Sequence, residues 1–110
     1  MNSRSLTKLS AELLTEARSV PAGRAARTVH GGKDNRLRQT LIALAAGRGM
    51  AEHASPSEAT LHVLAGRVRL VADALDWEGV PGDFISIPRR RHAVEAPEDS
   101  VILLTVITKQ

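Results

Sequence analysis

The chain has 110 residues, a mass of 11.8 kDa and an apolar fraction of 43%, which suits one domain with its own core. It contains no cysteine, so disulfide scaffolds, thiolate zinc sites and cysteine nucleophiles are excluded. Its formal net charge of +3 comes from residues 1–28, which hold five basic and two acidic side chains. Aromatic residues are nearly absent. We therefore expect a cytoplasmic protein with neither a nucleic-acid-binding surface nor a membrane span.

A short amphipathic helix is predicted over residues 5–18. Its apolar residues recur at spacings of three and four, which places them on one face: Leu6, Leu9, Leu13, Leu14 and Ala17. Ser5 is suited to cap the first turn, and Pro21 with Gly23 ends the segment. Residues 1–24 are therefore interpreted as a helix and linker, and the helix needs an apolar surface to cover.

From residue 25 the apolar pattern changes from a helical period to alternation, which predicts short β-strands. The strand-like segments are 36–44, 60–64, 67–71, 84–87 and 101–107, and turns rich in Gly, Pro and Ser separate them. Many short strands at this spacing are typical of a sandwich or a barrel. Residues 25–110 are therefore predicted to form one all-β domain.

Glycine and histidine then occur in a characteristic order. Gly47 is followed after five residues by His53, and Gly66 closes the segment. This order resembles the first of two short motifs of the cupins, which are small double-sheet barrels. Where that motif carries a second histidine and a glutamate, this chain has Ser55 and Ala59.

The second cupin motif is matched by Gly82 and Pro88 at the right spacing. His92 arrives one residue early, after the run Arg89-Arg90-Arg91, and Ala96 replaces an asparagine. The resemblance covers roughly three quarters of the chain. It implies an all-β double-stranded β-helix, the jelly-roll barrel of RmlC-like cupins, preceded by the N-terminal α-helix.

The resemblance also implies a site. His53 and His92 would meet inside the barrel, where metal-binding cupins hold a divalent ion such as Zn, Fe, Mn or Ni. Because strand alternation turns residues 53 and 55 to one face, Ser55 is expected beside them. Gln39 on the preceding strand is a further polar candidate for the ligand pocket, and Glu58 becomes a third metal ligand if a bulge turns it inward. Two imidazoles alone make an incomplete metal site.

Three roles for the histidine pair remain open: hydrogen bonding within the barrel, a degenerate metal site, and a metal-free pocket in which the imidazoles bind a ligand or transfer a proton. The run Arg89-Arg90-Arg91 would give the barrel mouth a positive potential and favour an anionic ligand. The predicted function is binding or sensing of a small molecule. The alternative is a metal-dependent enzyme of dioxygenase or isomerase type, since the resemblance also implies such chemistry.

A homodimer is expected as the state of assembly. The parity that turns His53 inward turns His62 and Leu64 outward, and Val68 with Leu70 is expected to extend this apolar surface. The helix also needs cover, and a two-fold pair offers the same patch to both copies. Cupins are commonly dimers, so the resemblance points the same way.

Overall fold

A computed structural model describes residues 1–53 and 57–108, with His53 described by its backbone alone. The elements are α1 (Leu6–Ser19), β1 (Arg24–His30), β2 (Leu37–Leu44), β3 (Arg48–His53), β4 (Ala59–Ala65), β5 (Val68–Ala72), β6 (Leu75–Gly79), β7 (Phe84–Ser86), β8 (His92–Ala96) and β9 (Ser100–Ile107). In this part of the chain, no helix has the length and apolar character needed to cross a membrane.

The strands form two antiparallel sheets. The five-stranded sheet has the order β1-β2-β9-β4-β7, and the four-stranded sheet has the order β3-β8-β5-β6. Strands that are neighbours in sequence often lie in different sheets, as expected for a jelly roll. The prediction of an all-β, two-sheet barrel preceded by one helix is confirmed.

The main core lies between the two sheets. Alternate residues of β4 are buried there, namely Ala59, Leu61 and Val63, which confirms the predicted parity of that strand. The expectation for β5 was wrong, because Val68 and Leu70 belong to the same inter-sheet core and are 0% and 3% exposed. The alternation identified one face of β5 correctly, but it could not say which face points inward.

A second apolar layer lies under α1, on the outer side of the five-stranded sheet. Ser5 accepts a hydrogen bond from the backbone N–H of Lys8 at 3.2 Å, so it caps the helix as predicted. The buried helix residues are Leu9, Leu13 and Ala17, and they pack in one cluster with Leu41, Ala43 and Val101 of the sheet. The helix therefore covers its own domain, on β1, β2 and part of β9.

A buried hydroxyl joins the two turns at one end of the barrel. Ser100 is fully buried; its Oγ accepts from the backbone N–H of Arg67 at 3.0 Å and lies within 2.8 Å of the carbonyls of Arg67 and Glu98. We expect Ser100→Ala to lower the free energy of unfolding by about 1–3 kcal/mol, since it leaves the Arg67 backbone groups without this partner. Urea denaturation measures the loss, and the exposed Ser3→Ala serves as the control. Equal midpoints for the two variants would contradict the assignment.

Asp99 links three segments at the same end. The backbone N–H of Ala46 donates to its Oδ1 at 2.8 Å, and Nε of Arg18 on α1 donates to its Oδ2 at 2.7 Å. These hydrogen bonds, first that of Ala46 and then that of Arg18, hold the pKa of Asp99 below its ordinary value.

A pH dependence follows from this lowered pKa. The carboxylate stabilises the folded state fully above the unfolded pKa of about 3.9, and the contribution disappears as the pH falls through the lower folded value. We expect Asp99→Asn to reduce stability at neutral pH and to lessen the loss on acidification. Urea midpoints at about pH 7 and pH 3 test this, with Glu12→Gln on the exposed side of α1 as control. An unchanged acid dependence in Asp99→Asn would refute the prediction.

Candidate functional site

A cavity of about 310 Å³ opens between the two sheets, at the side formed by their edge strands β6 and β7. Its apolar wall consists of Leu70, Ala72, Leu75, Trp77, Ile85 and Pro88. Asp76 and Ser86 add polar groups to the lining. The volume is at the small end of the range for ligand sites, and the apolar wall suits a compact apolar group.

Trp77 gives this cavity its flat surface. It pairs with Leu70 in the β5–β6 register, and its side chain is half-buried. A Cβ built on Gly79 would collide with the six-membered ring of the indole, so the missing side chain at Gly79 makes room for the ring. The glycine thereby helps to set where the indole lies, since any side chain at that position would displace it.

His92 is the buried polar residue next to this cavity. It is 3% exposed and shares the inward face of β8 with Val94 and Ala96. β5 and β8 pair Leu70 with Val94, so Ala72 and His92 follow at the same end of that inward face. His92 does not itself line the cavity, but it lies beside the wall that Leu70 and Ala72 form.

A hydrogen bond orients the ring of His92. Its Nδ1 lies 2.9 Å from the carbonyl oxygen of Arg90. Because a carbonyl oxygen only accepts, Nδ1 is the donor of this hydrogen bond. The bond helps to hold the imidazole in place at the end of the inward face of β8.

The backbone of His53 lies opposite that of His92. The two residues are direct partners in the β3–β8 register, just beyond a bulge that follows Met50. Directly opposite residues of antiparallel strands have Cα atoms about 4.5–5.5 Å apart. The direction of the His53 side chain and the whole of Ser55 lie outside the described residues, so the predicted His53–Ser55–His92 pocket stays a prediction.

Gln39 is on the other side of the five-stranded sheet, which corrects its assignment to the barrel pocket. It shares its face of β2 with Leu41 and Ala43, and α1 covers that face. Its Nε2 donates to Oγ1 of Thr105 at 3.2 Å, and with Leu6 it lines a separate polar depression beside the start of α1. The face of β2 that points into the barrel carries Ile42 and Leu44 instead. The prediction had therefore turned the wrong face of this strand inward.

Glu58 is exposed and directly precedes β4, where the next residue, Ala59, is buried. Its carboxylate does not point into the barrel, so the expectation that a bulge turns Glu58 inward as a third metal ligand was wrong. Among the residues whose side chains are described, 1–52 and 57–108, no group of three or more His, Asp or Glu could hold a metal ion.

The arginine run is partly neutralised by neighbouring carboxylates. Arg90 pairs with Asp73 at 3.3 Å, and Arg91 pairs with Glu52 at 2.8 Å. These two exposed ion pairs reduce the positive potential expected at the barrel mouth. The electrostatic preference for an anionic ligand is therefore weaker than the bare sequence indicates.

Sequence reasoning missed the cavity itself. Trp77 and Leu75 belong to β6, a strand that the alternation pattern did not single out because Asp76 and Glu78 dominate it. A weak signal for this strand was present in the sequence. Apolar and acidic residues alternate from Leu75 to Glu78, and Trp77, one of the two aromatic residues of the chain, lies among them.

Comparison with known proteins identifies the fold and leaves the function open. No family model matches the sequence, and no curated protein matches it. Among solved structures, a conserved protein of unknown function from Streptococcus pyogenes is 25% identical, with a TM-score of 0.71 over 83% of this chain and 79% of that one. A cupin superfamily protein from Desulfitobacterium hafniense is 17% identical, with a TM-score of 0.72 over 78% of each chain. The chain has a cupin fold.

The same fold also occurs within larger proteins of different function. A salicylate 1,2-dioxygenase from Pseudaminobacter salicylatoxidans is 17% identical, with a TM-score of 0.75 over 91% of this chain and 33% of the dioxygenase. The cupin domain of an XRE-family transcriptional regulator from Enterobacter cloacae is 13% identical, with a TM-score of 0.66 over 79% of this chain and 98% of that one. These likenesses show the fold alone.

The donor set of this chain does not fit the metal site that its fold family implies. The position of the motif glutamate is Ala59, whose buried methyl group faces the inter-sheet core and offers no lone pair. Ser55 replaces the second histidine. His53 and His92 remain, and two imidazoles fall short of the three or four protein donors of a tight divalent site.

Proposed function

We propose that this chain binds a small, compact molecule in the inter-sheet cavity, against the indole of Trp77 and beside the buried His92. The observation that carries the proposal is an apolar cavity walled by Trp77, Leu70 and Ala72, with few polar groups in its lining. Few polar groups at the wall of an apolar cavity are typical of small-molecule sites, where the apolar surface contributes affinity and the polar group contributes orientation.

The flat indole of Trp77 and the volume of about 310 Å³ favour a planar ligand of modest size. An anionic ligand is a weaker match, since Arg90 and Arg91 already pair with carboxylates.

The single tryptophan of the chain makes this proposal directly testable. Because Trp77 lines the cavity, its fluorescence should change saturably on titration with benzamide, a neutral planar donor, and less with benzoate, its anionic counterpart. We expect Leu75→Ala to weaken benzamide binding by about tenfold, because Leu75 lines the cavity and its contacts with the ligand would be lost. Val80→Ala is the matched control, because Val80 is similarly exposed and does not line the cavity.

Either of two results would argue against the proposal: no saturable fluorescence change with either probe at millimolar concentration, or equal affinities for the wild-type protein and Leu75→Ala. Stronger binding of benzoate than of benzamide would restore the anionic ligand that the arginine run favours.

The alternative function is a metal-dependent enzyme of dioxygenase or isomerase type. It requires that His53 and His92 bind a divalent ion, and two imidazoles hold such an ion poorly. Elemental analysis of the purified protein decides between the two. We expect substoichiometric metal, equal in wild type, His53→Ala and His92→Ala, whereas stoichiometric metal that both variants lose would favour the enzyme.

A further inference from the structure

Strand β1 forms one edge of the five-stranded sheet, and its outer side is open. It pairs with β2 on one side, and no described strand lies on the other. Gly23, just before β1, accepts a hydrogen bond from the backbone N–H of Ala45 at 2.9 Å. Because bonded and non-bonded pairs alternate along an antiparallel ladder, the N–H and C=O groups of Arg24, Ala26 and Thr28 point away from β2. The edge therefore offers backbone donors and acceptors to a further strand.

The hairpin that β1 forms with β2 is strongly basic. Residues 24–38 contain five Lys or Arg and a single acidic residue. Four of these arginines are exposed, and none of them forms an ion pair with a described carboxylate: Arg24, Arg27, Arg36 and Arg38. On the four-stranded sheet, by contrast, Arg69 pairs with Asp76 at 2.8 Å and with Glu95 at 3.1 Å. The positive potential of the hairpin is therefore available to a partner.

Each face of β1 carries an arginine at the open edge. Arg27 shares its face with Ala25, which is buried under α1, and Arg24 shares the opposite face with Thr28. An acidic residue on an added strand can pair across strands with an arginine on whichever face it lies. The bulge between Thr28 and His30 interrupts the ladder, so the regular part of the edge is residues 24–28.

We propose that β1 is a docking edge for an acidic, extended segment of another protein, which adds antiparallel to residues 24–28. The backbone groups of β1 would hold the added strand, and its glutamate or aspartate side chains would pair with Arg24 and Arg27. The cavity lies at β6 and β7, the opposite edges of the two sheets, so the proposal is independent of what the cavity binds.

The charge and the backbone of this edge together favour an acidic peptide over other occupants. A second copy of the chain is a poor fit, because pairing β1 with β1 would bring arginines of both copies together. A nucleic acid is also a poor fit, because its phosphates do not match alternating N–H and C=O groups. Neither aromatic residue of the chain, Trp77 or Phe84, lies on β1 or β2 to stack on a base.

Fluorescence anisotropy with the full chain tests the proposal. The probe is a labelled peptide of alternating glutamate and threonine with blocked termini, and the control peptide has glutamine in place of glutamate. We expect the glutamate peptide to bind about tenfold more tightly at low salt. The double variant Arg24→Gln/Arg27→Gln should lose about tenfold in affinity for it, since two cross-strand charge pairs disappear. The matched control, Arg67→Gln/Arg69→Gln, removes the same charge from the four-stranded sheet and should bind like wild type.

A second comparison separates strand addition from attraction by charge alone. A fully N-methylated glutamate peptide keeps its charge but has no N–H groups to pair with β1, and we expect it to bind several-fold more weakly. On the protein, Ala26→Pro removes an N–H that points away from β2 and should weaken binding of the unmethylated peptide to a similar degree. Proline is tolerated at such edge positions, and the N-methylated peptide keeps the test open if this variant does not fold.

Four results would each overturn the proposal. Two concern the peptides, namely equal binding of the glutamate and glutamine peptides, or undiminished binding of the N-methylated one. The third is a DNA duplex that binds more tightly than the glutamate peptide and loses affinity in Arg24→Gln/Arg27→Gln, since the surface would then recognise phosphate. The fourth is a wild-type mass above 11.8 kDa that Ala26→Pro reduces to this value, since β1 would then pair with a second copy.

Discussion

Gly66→Ala should be among the most destabilising single substitutions in this protein, costing upwards of about 4 kcal/mol in the free energy of unfolding. Gly66 has φ of +79°, in the left-handed region that costs an L-residue about 1–2 kcal/mol. A Cβ there would also overlap the carbonyl oxygen of Asp99 and come within 2.8 Å of Cα of Ser100. Both obstacles are backbone atoms, so relief requires moving the turn that precedes β9.

Gly47→Ala separates these two causes. Gly47 has nearly the same φ, +81°, but no described atom lies within 4 Å of a Cβ built on it. It should therefore lose only the backbone contribution of about 1–2 kcal/mol. Chemical denaturation of both variants makes the comparison, and equal losses would show that the approach to Asp99 is not what requires glycine at residue 66.

Ala72→Phe should abolish ligand binding while leaving the fold intact. Ala72 is 2% exposed and lines the cavity, so a phenyl ring there would occupy the space that we assign to the ligand. We expect the affinity for benzamide to fall by about 100-fold or more, since the lost contacts are the main source of binding energy. The melting temperature should hold or rise, because the new ring fills a cavity rather than a packed core.

The control for this variant is Ala26→Phe on the exposed side of β1, which adds the same ring far from the cavity. Fluorescence titration of Trp77 and thermal denaturation provide the two readouts. If Ala72→Phe binds benzamide as tightly as wild type, the ligand site is not the inter-sheet cavity. If it fails to fold, the smaller Ala72→Val, in which binding should weaken to a lesser degree, takes its place.

Much of the fold could be predicted because its signals are local. The leucine spacing with the Ser5 cap predicted α1 to within one residue, since capping and amphipathic packing depend on neighbours in sequence. Strands with a long apolar run, such as β9, were recognised for the same reason. The weaker strands β6 and β8 were not, because their exposed positions carry charges and their stability comes from pairing with β5.

The candidate site was only half predictable. Register pairs the backbone of His53 with that of His92, whereas the meeting of their side chains stays a prediction. Gln39 was misplaced because β2 is apolar on both faces near its end, where Leu41 and Ala43 lie under α1 and Ile42 and Leu44 face the inter-sheet core. When both faces of a strand are buried, alternation no longer identifies the inward one.

By itself, the sequence determined the helix, the all-β class and the turns. It also showed the resemblance to cupins, partly through the motif glycines Gly47, Gly66 and Gly82, which all have positive φ. These features follow from the conformational range of single residues and short segments. Only the tertiary structure decided which strand faces meet, which residues wall the cavity with Trp77, and which outer face α1 covers. These features depend on the pairing of strands that are distant in sequence and on α1, which buries the outer face of the five-stranded sheet. No local sequence pattern predicts either of them.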